Sequence, residues 1–132
     1  MVITQGELEI ALLDPFFEKG MPLRGTVKLH LPKPLNARSL KIEMYLQWGE
    51  GPPPHREKTA LLKKQLSGSK TYQDNEEHIF ELLIPLNVDY DAQPARGKAS
   101  GWFLHALLDV PLASDLNARV EVLPYREEAR EV

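Results

Sequence analysis

Apolar residues recur at every second position in one short segment of this chain after another. Leu8, Ile10 and Leu12 alternate with charged or small residues ahead of Asp14-Pro15. Val27, Leu29 and Leu31 alternate with Lys28 and His30 until Pro32. Leu40, Ile42, Met44, Leu46 and Trp48 alternate with Lys41, Glu43, Tyr45 and Gln47 up to Gly49. Phe80, Leu82 and Ile84 run to Pro85, and Ala118, Val120 and Val122 lead to Pro124. A period of two is that of a strand with one face in a core. Short strands cut by Pro and Gly turn signals predict an antiparallel sandwich or barrel.

One segment departs from clean alternation. Trp102, Leu104, Ala106, Leu108 and Val110 keep the period, but Phe103 and Leu107 add apolar groups to the opposite face. A strand solvated on one side shows polar residues there. The outer face of this strand is therefore expected to be covered. The cover is either a partner or, within the same chain, the Asn87–Ser100 loop or the C-terminal tail. Leu83, on the outer parity of the preceding strand, strengthens the expectation of self-association.

Elsewhere the pattern is less regular. Ala60, Leu61, Leu62 and Leu66 stand among lysines between Arg56 and Tyr72, compatible with helix or strand. The neighbouring strands favour a strand, and Ser67-Gly68-Ser69-Lys70 reads as a turn. Asp14 to Pro22, Gly49 to His55 with its Gly-Pro-Pro-Pro, and Asn87 to Ser100 read as loops. Arg126 to Val132 is a charged tail.

The 132 residues suit one domain spanning 1–132, large enough to bury a core without staples. There is no cysteine, which excludes disulfides and thiolate metal sites and fits a reducing cytoplasm. The N-terminus lacks the basic and apolar regions of a signal peptide, and no apolar run is long enough for a helical span. A net charge of -3 gives no general attraction to nucleic acid or anionic lipid. The expected chain is cytoplasmic, with neither nucleic acid nor integral membrane contact.

The order of segments resembles arrestin-like domains. Gly20-Met-Pro-Leu-Arg-Gly25-Thr-Val-Lys-Leu is similar to that family's first hairpin, and Leu40-Lys-Ile-Glu-Met-Tyr-Leu46 to the strand after it. Phe80-Glu-Leu-Leu-Ile-Pro85 and Ser100-Gly-Trp-Phe-Leu-His-Ala-Leu-Leu-Asp109 resemble two later strands. The likeness runs from about Leu8 to Val122, and among arrestin-like proteins it leans toward bacterial sporulation-control proteins and the retromer cargo subunit. It implies an immunoglobulin-like antiparallel β-sandwich of about seven to eight strands. It also implies a non-catalytic adaptor or scaffold that takes no cofactor. Those relatives carry two sandwiches in tandem, whereas this chain has room for one. Arrestin surfaces built between domains are therefore not carried over, and two copies are expected to pair as a homodimer.

No catalytic or phosphate-binding motif is present. His30 and His105 face outward by parity, and His55 and His78 lie at segment edges. Such scattered histidines are surface residues rather than a zinc site. Asp74, Glu76 and Glu77 read as a solvated acidic loop. Arg56, Lys58, Lys63, Lys64 and Lys70 form a basic segment, read as protection of an exposed edge strand or as a patch for acidic partners. Of Phe16 and Phe17, one is expected under the end of the sandwich and the other at a contact. Trp48 and Trp102 fall on core parity. The residues expected to meet a protein partner are Phe16, Phe17, Lys63, Lys64, Phe103, His105 and Leu107. The competing expectation is a small-ligand-binding or hydrolytic sandwich, which needs a cleft lined by His78, Glu76 and Asp109.

Overall fold

The computed structural model describes residues 5–50, 55–88, 90 and 98–125, without the side chains of 48–50, 55–59 and 98–100. Ten strands and no helix occur among the described residues. They are β1 (Glu7–Leu12), β2 (Phe16–Phe17), β3 (Pro22–His30), β4 (Leu35–Ala37), β5 (Ser39–Glu50), β6 (His55–Ser67), β7 (Lys70–Tyr72), β8 (Glu77–Leu83), β9 (Lys98–Asp109) and β10 (Leu116–Pro124). Seven are long, as the alternation predicts. The three extra strands, β2, β4 and β7, are two or three residues each, too short to leave a periodic signal.

Two sheets form the sandwich. The smaller has the order β1-β3-β8 and the larger β2-β10-β9-β5-β6, while β4 and β7 make a short ribbon. Pairing is antiparallel except between β10 and β2, which run parallel through Leu123–Phe16 and Pro124–Phe17. The inward set of one sheet meets that of the other. Leu8, Val27, Leu29, Phe80 and Leu82 come from the small sheet, and Leu40, Ile42, Met44, Leu104, Ala106, Leu108 and Val122 from the large one. Trp102 joins this core, as its parity predicts. The Trp48 side chain lies outside the described residues.

The ambiguous segment is strand β6, and its register explains the ambiguity. It slips against β5 at Leu40/Lys41 and again at Met44/Tyr45. Each slip sets two residues of β6 against one of β5, so alternation restarts and the leucines lose their period.

Phe16 and Phe17, expected in a loop, form the edge strand β2. Its backbone is tied to β10 by Leu123 N donating to Pro15 O at 2.9 Å and Tyr125 N to Phe17 O at 2.7 Å. Phe17 is buried edge-on to Tyr90 and Trp102, at 5.2 and 6.1 Å between ring centroids. Phe16 is exposed beside Leu123. The Gly-Pro-Pro-Pro segment, most of the segment 87–100 and the tail after Tyr125 lie outside the described residues.

Candidate interaction faces

The outer face of the large sheet carries Phe103, His105 and Leu107 on β9. In register they face Tyr45, Glu43 and Lys41 of β5, and Glu121, Arg119 and Asn117 of β10. Phe103 is only 7% exposed. Its ring stacks on Tyr45 at 5.7 Å, and the Arg119 guanidinium lies over it at 4.0 Å. Arg119 is in turn held by donating from Nη1 to Gln47 Oε1 at 2.9 Å. The second apolar face of β9 is thus covered at Phe103 by side chains of the neighbouring strands β5 and β10. Periodicity could not show this, because the covering groups come from strands far away in sequence.

Below Phe103 the face is polar. His105 sits between Glu43 Oε1, 3.2 Å from Nδ1, and Asn117 Oδ1, 2.6 Å from Nε2. Asn117 donates its own Nδ2 to Asp115 O at 3.3 Å, which turns its oxygen toward the ring. A groove of about 300 Å³ is lined by Lys41, Ile42, Glu43, Lys63, His105 and Leu107. Leu107 is half-buried there.

Lys63 and Lys64 point to opposite sides. Lys63 pairs in register with Glu43 on the outer face. Lys64 lies opposite core-facing Ile42, on the edge strand, and donates from Nζ to Glu81 O at 3.3 Å. It thereby occupies one acceptor on the open edge of β8, a use of lysine that discourages strand addition. The side chains of Arg56 and Lys58 lie outside the described residues.

The outer face of the small sheet is built otherwise. Its rungs are Pro22–Leu83, Arg24–Glu81, Thr26–Ile79 and Lys28–Glu77, with Ala11 and Glu9 of β1 beyond β3. Arg24 Nε meets Glu81 Oε2 at 2.9 Å, Lys28 meets Glu77 at 3.9 Å, and His30 meets Glu9 at 2.8 Å. Beside these pairs stand Ile79 and Leu83, 81% and 67% exposed, and Leu13, just past the end of β1, is 90% exposed. Leu83 was expected to extend the surface of Phe103 and Leu107. Instead it lies on the opposite side of the sandwich, because consecutive strands β8 and β9 belong to different sheets.

The acidic segment is structural. Asp74 Oδ1 accepts from Leu31 N at 2.8 Å. Burial by itself raises the Glu76 carboxyl, but Lys70 at 2.7 Å, the Gln73 N–H and His78 at 3.0 Å outweigh burial and hold it below the ordinary carboxylate value. Asp109 pairs with Arg38, 4.0 Å from its Nε. Among the described residues no cluster of histidine and carboxylate groups is arranged to hold a metal ion. His30 and His105 face outward as their parity predicts, while the His55 side chain is outside the described residues. Among the described residues no helix is long and apolar enough to cross a membrane.

No family model and no curated protein matches this sequence. Among solved structures, the chain is similar to Spo0M, a sporulation control protein from Bacillus subtilis. The TM-score is 0.74 at 18% identity, covering 95% of this chain and 51% of that one. The two share a fold, and the chain spans about half the length of Spo0M. The Pseudomonas fluorescens alkylpurine DNA glycosylase AlkC overlaps at a TM-score of 0.36 and 13% identity, covering 91% of this chain and 31% of that one; so low a score carries no argument.

Proposed function

We propose that this chain is a non-catalytic protein-interaction module of arrestin-like type, an adaptor or scaffold of the cytoplasm that associates with itself. The observation that carries this reading is the placement of Ile79 and Leu83. They stand in water on the outer face of the small sheet. Exposed apolar side chains gathered around polar groups mark interaction surfaces. The likeness to half of a sporulation control protein supports a regulatory rather than a catalytic role. The absence of cysteine supports the cytoplasmic location.

Co-purification from the native cell tests the adaptor role. Wild type is compared with Leu107→Ser/Lys63→Glu on the large sheet and Ile79→Ser/Leu83→Ser on the small one. These positions are exposed or half-buried, so the variants fold. An adaptor returns a defined set of proteins that one face variant loses. The same set from every variant, or none from wild type, contradicts it.

A second reading is favoured by the groove under His105. Its volume of about 300 Å³ reaches the lower end of small-ligand pockets, roughly 300–1,000 Å³. It presents Lys41, Lys63 and His105 against a single acid, Glu43. A small carboxylate that shifts the His105 ring signals in NMR at millimolar concentration would support this reading over the adaptor.

A further inference from the structure

We infer that a second copy of this chain docks on the outer face of the small sheet, about a two-fold axis running along the strands between β3 and β8. The inference rests on the self-association in the reading above and assigns its surface. The argument is the self-complementarity of the rungs. Along β3 this face reads Pro22, Arg24, Thr26, Lys28, and along β8 it reads Leu83, Glu81, Ile79, Glu77. Rotation about such an axis exchanges β3 for β8 and keeps each residue at its level. Arg24 of one copy then lies over Glu81 of the other, Lys28 over Glu77, Pro22 over Leu83 and Thr26 over Ile79. With the sheets aligned, each charged level meets the opposite charge, and an isologous interface requires this of a single surface.

Two packed sheets cross at about −30°. With levels about 6.8 Å apart along a strand, the two central levels, Arg24–Glu81 and Thr26–Ile79, shift sideways by only about 2 Å. The outer levels shift by about 5 Å, roughly one strand spacing. The match is therefore best where Arg24 and Glu81 stand. The two ion pairs become a ring of four alternating charges, and Ile79 and Leu83 leave water on either side of it.

The surface is small. Nine residues of β3 extend about 30 Å, and the two overlapping strands span about 10 Å, so the docked face is about 300 Å². A standard interface buries about 800 Å² per partner. The expected dimer is weak, with a dissociation constant on the order of 10–1,000 µM.

The test is sedimentation equilibrium from about 10 µM to about 1 mM. Wild type is compared with Arg24→Glu, with Glu81→Arg, and with an equal mixture of the two. Both side chains are more than half exposed, 59% and 56%, so the single changes leave the fold intact, which far-ultraviolet circular dichroism checks. In the first variant both positions are acidic and in the second both are basic. Each variant alone is expected to remain monomeric, and the mixture to form a heterodimer at least as tight as the wild-type dimer. Singles that dimerise like wild type overturn the assigned face and leave self-association standing. Monomeric singles whose mixture also stays monomeric overturn the two-fold pairing. A wild type that is monomeric throughout overturns both the inference and the self-association it rests on, while capture of other proteins stands on its own test.

Discussion

Replacing Phe103 by alanine separates a residue held within the fold from one waiting for a partner. The ring is 7% exposed, stacked on Tyr45 and covered by Arg119. Truncation returns about 100 Å² of apolar surface to water, about 2.5 kcal/mol at ~25 cal/mol per Å². The lost aromatic pair adds about 1 kcal/mol, and the cation over the ring about 0.5 kcal/mol because Arg119 is exposed. Arg119 and Tyr45 can settle into the gap and recover part of this. A loss of about 3 kcal/mol is expected, at the low end for buried phenylalanines. In a domain of this size that lowers the melting temperature by roughly 6–12 °C. Urea unfolding followed by tryptophan fluorescence measures it, with an unchanged slope confirming that the native surface is otherwise the same. A loss below about 1 kcal/mol would refute the reasoning, since surface substitutions usually fall within about 0.5 kcal/mol. If the larger loss is found, reduced partner binding by a Phe103 variant reports lost folding, and Leu107 is the better probe of the face.

Two further predictions concern stability. Gly25→Ala is expected to cost about 1–3 kcal/mol by the urea midpoint, because the added methyl would lie 2.6 Å from Phe80 Cζ and 2.7 Å from the Ala11 carbonyl oxygen. Strand propensity alone predicts a gain of about 0.5–1 kcal/mol, so the sign decides between them. Glu76→Gln tests the held carboxylate. A carboxyl lowered in the native state stabilises the fold above its unfolded value, roughly pH 4, and that contribution is lost as pH falls through the lower native value. The variant should unfold at lower urea than wild type at pH 7, and the gap should close in acid. A gap independent of pH would count against the assignment.

How far the pattern carried differs from element to element. The core parity of Leu40 to Met44 and Leu104 to Leu108 was legible because residues on one face of a strand share one environment. The strand character of β6 was legible only through its neighbours, since two register slips erased its period. The division of Phe16 and Phe17 into one buried and one exposed ring followed from the difficulty of hiding both. Which one is buried depended on the pairing of β2 with β10. The basic segment split into Lys63 on the outer face and Lys64 across the open edge of the sandwich. A one-residue step reverses the side of a strand, but only the sheet order says what each side meets.

By itself the sequence determined that this is an all-β chain, which residues of the long strands other than β6 turn inward, and that it carries no cysteine and no catalytic motif. Those properties are local, set by a period of two and by residue type. The tertiary structure alone decided which outward residues are bare. Phe103 is roofed by Tyr45 and Arg119, and Leu83 stands in water on the opposite sheet, although both read as outward apolar positions on successive strands. The cause is that covering a face takes side chains from strands distant in sequence, and the order β1-β3-β8 and β2-β10-β9-β5-β6 is fixed only when the sheets assemble.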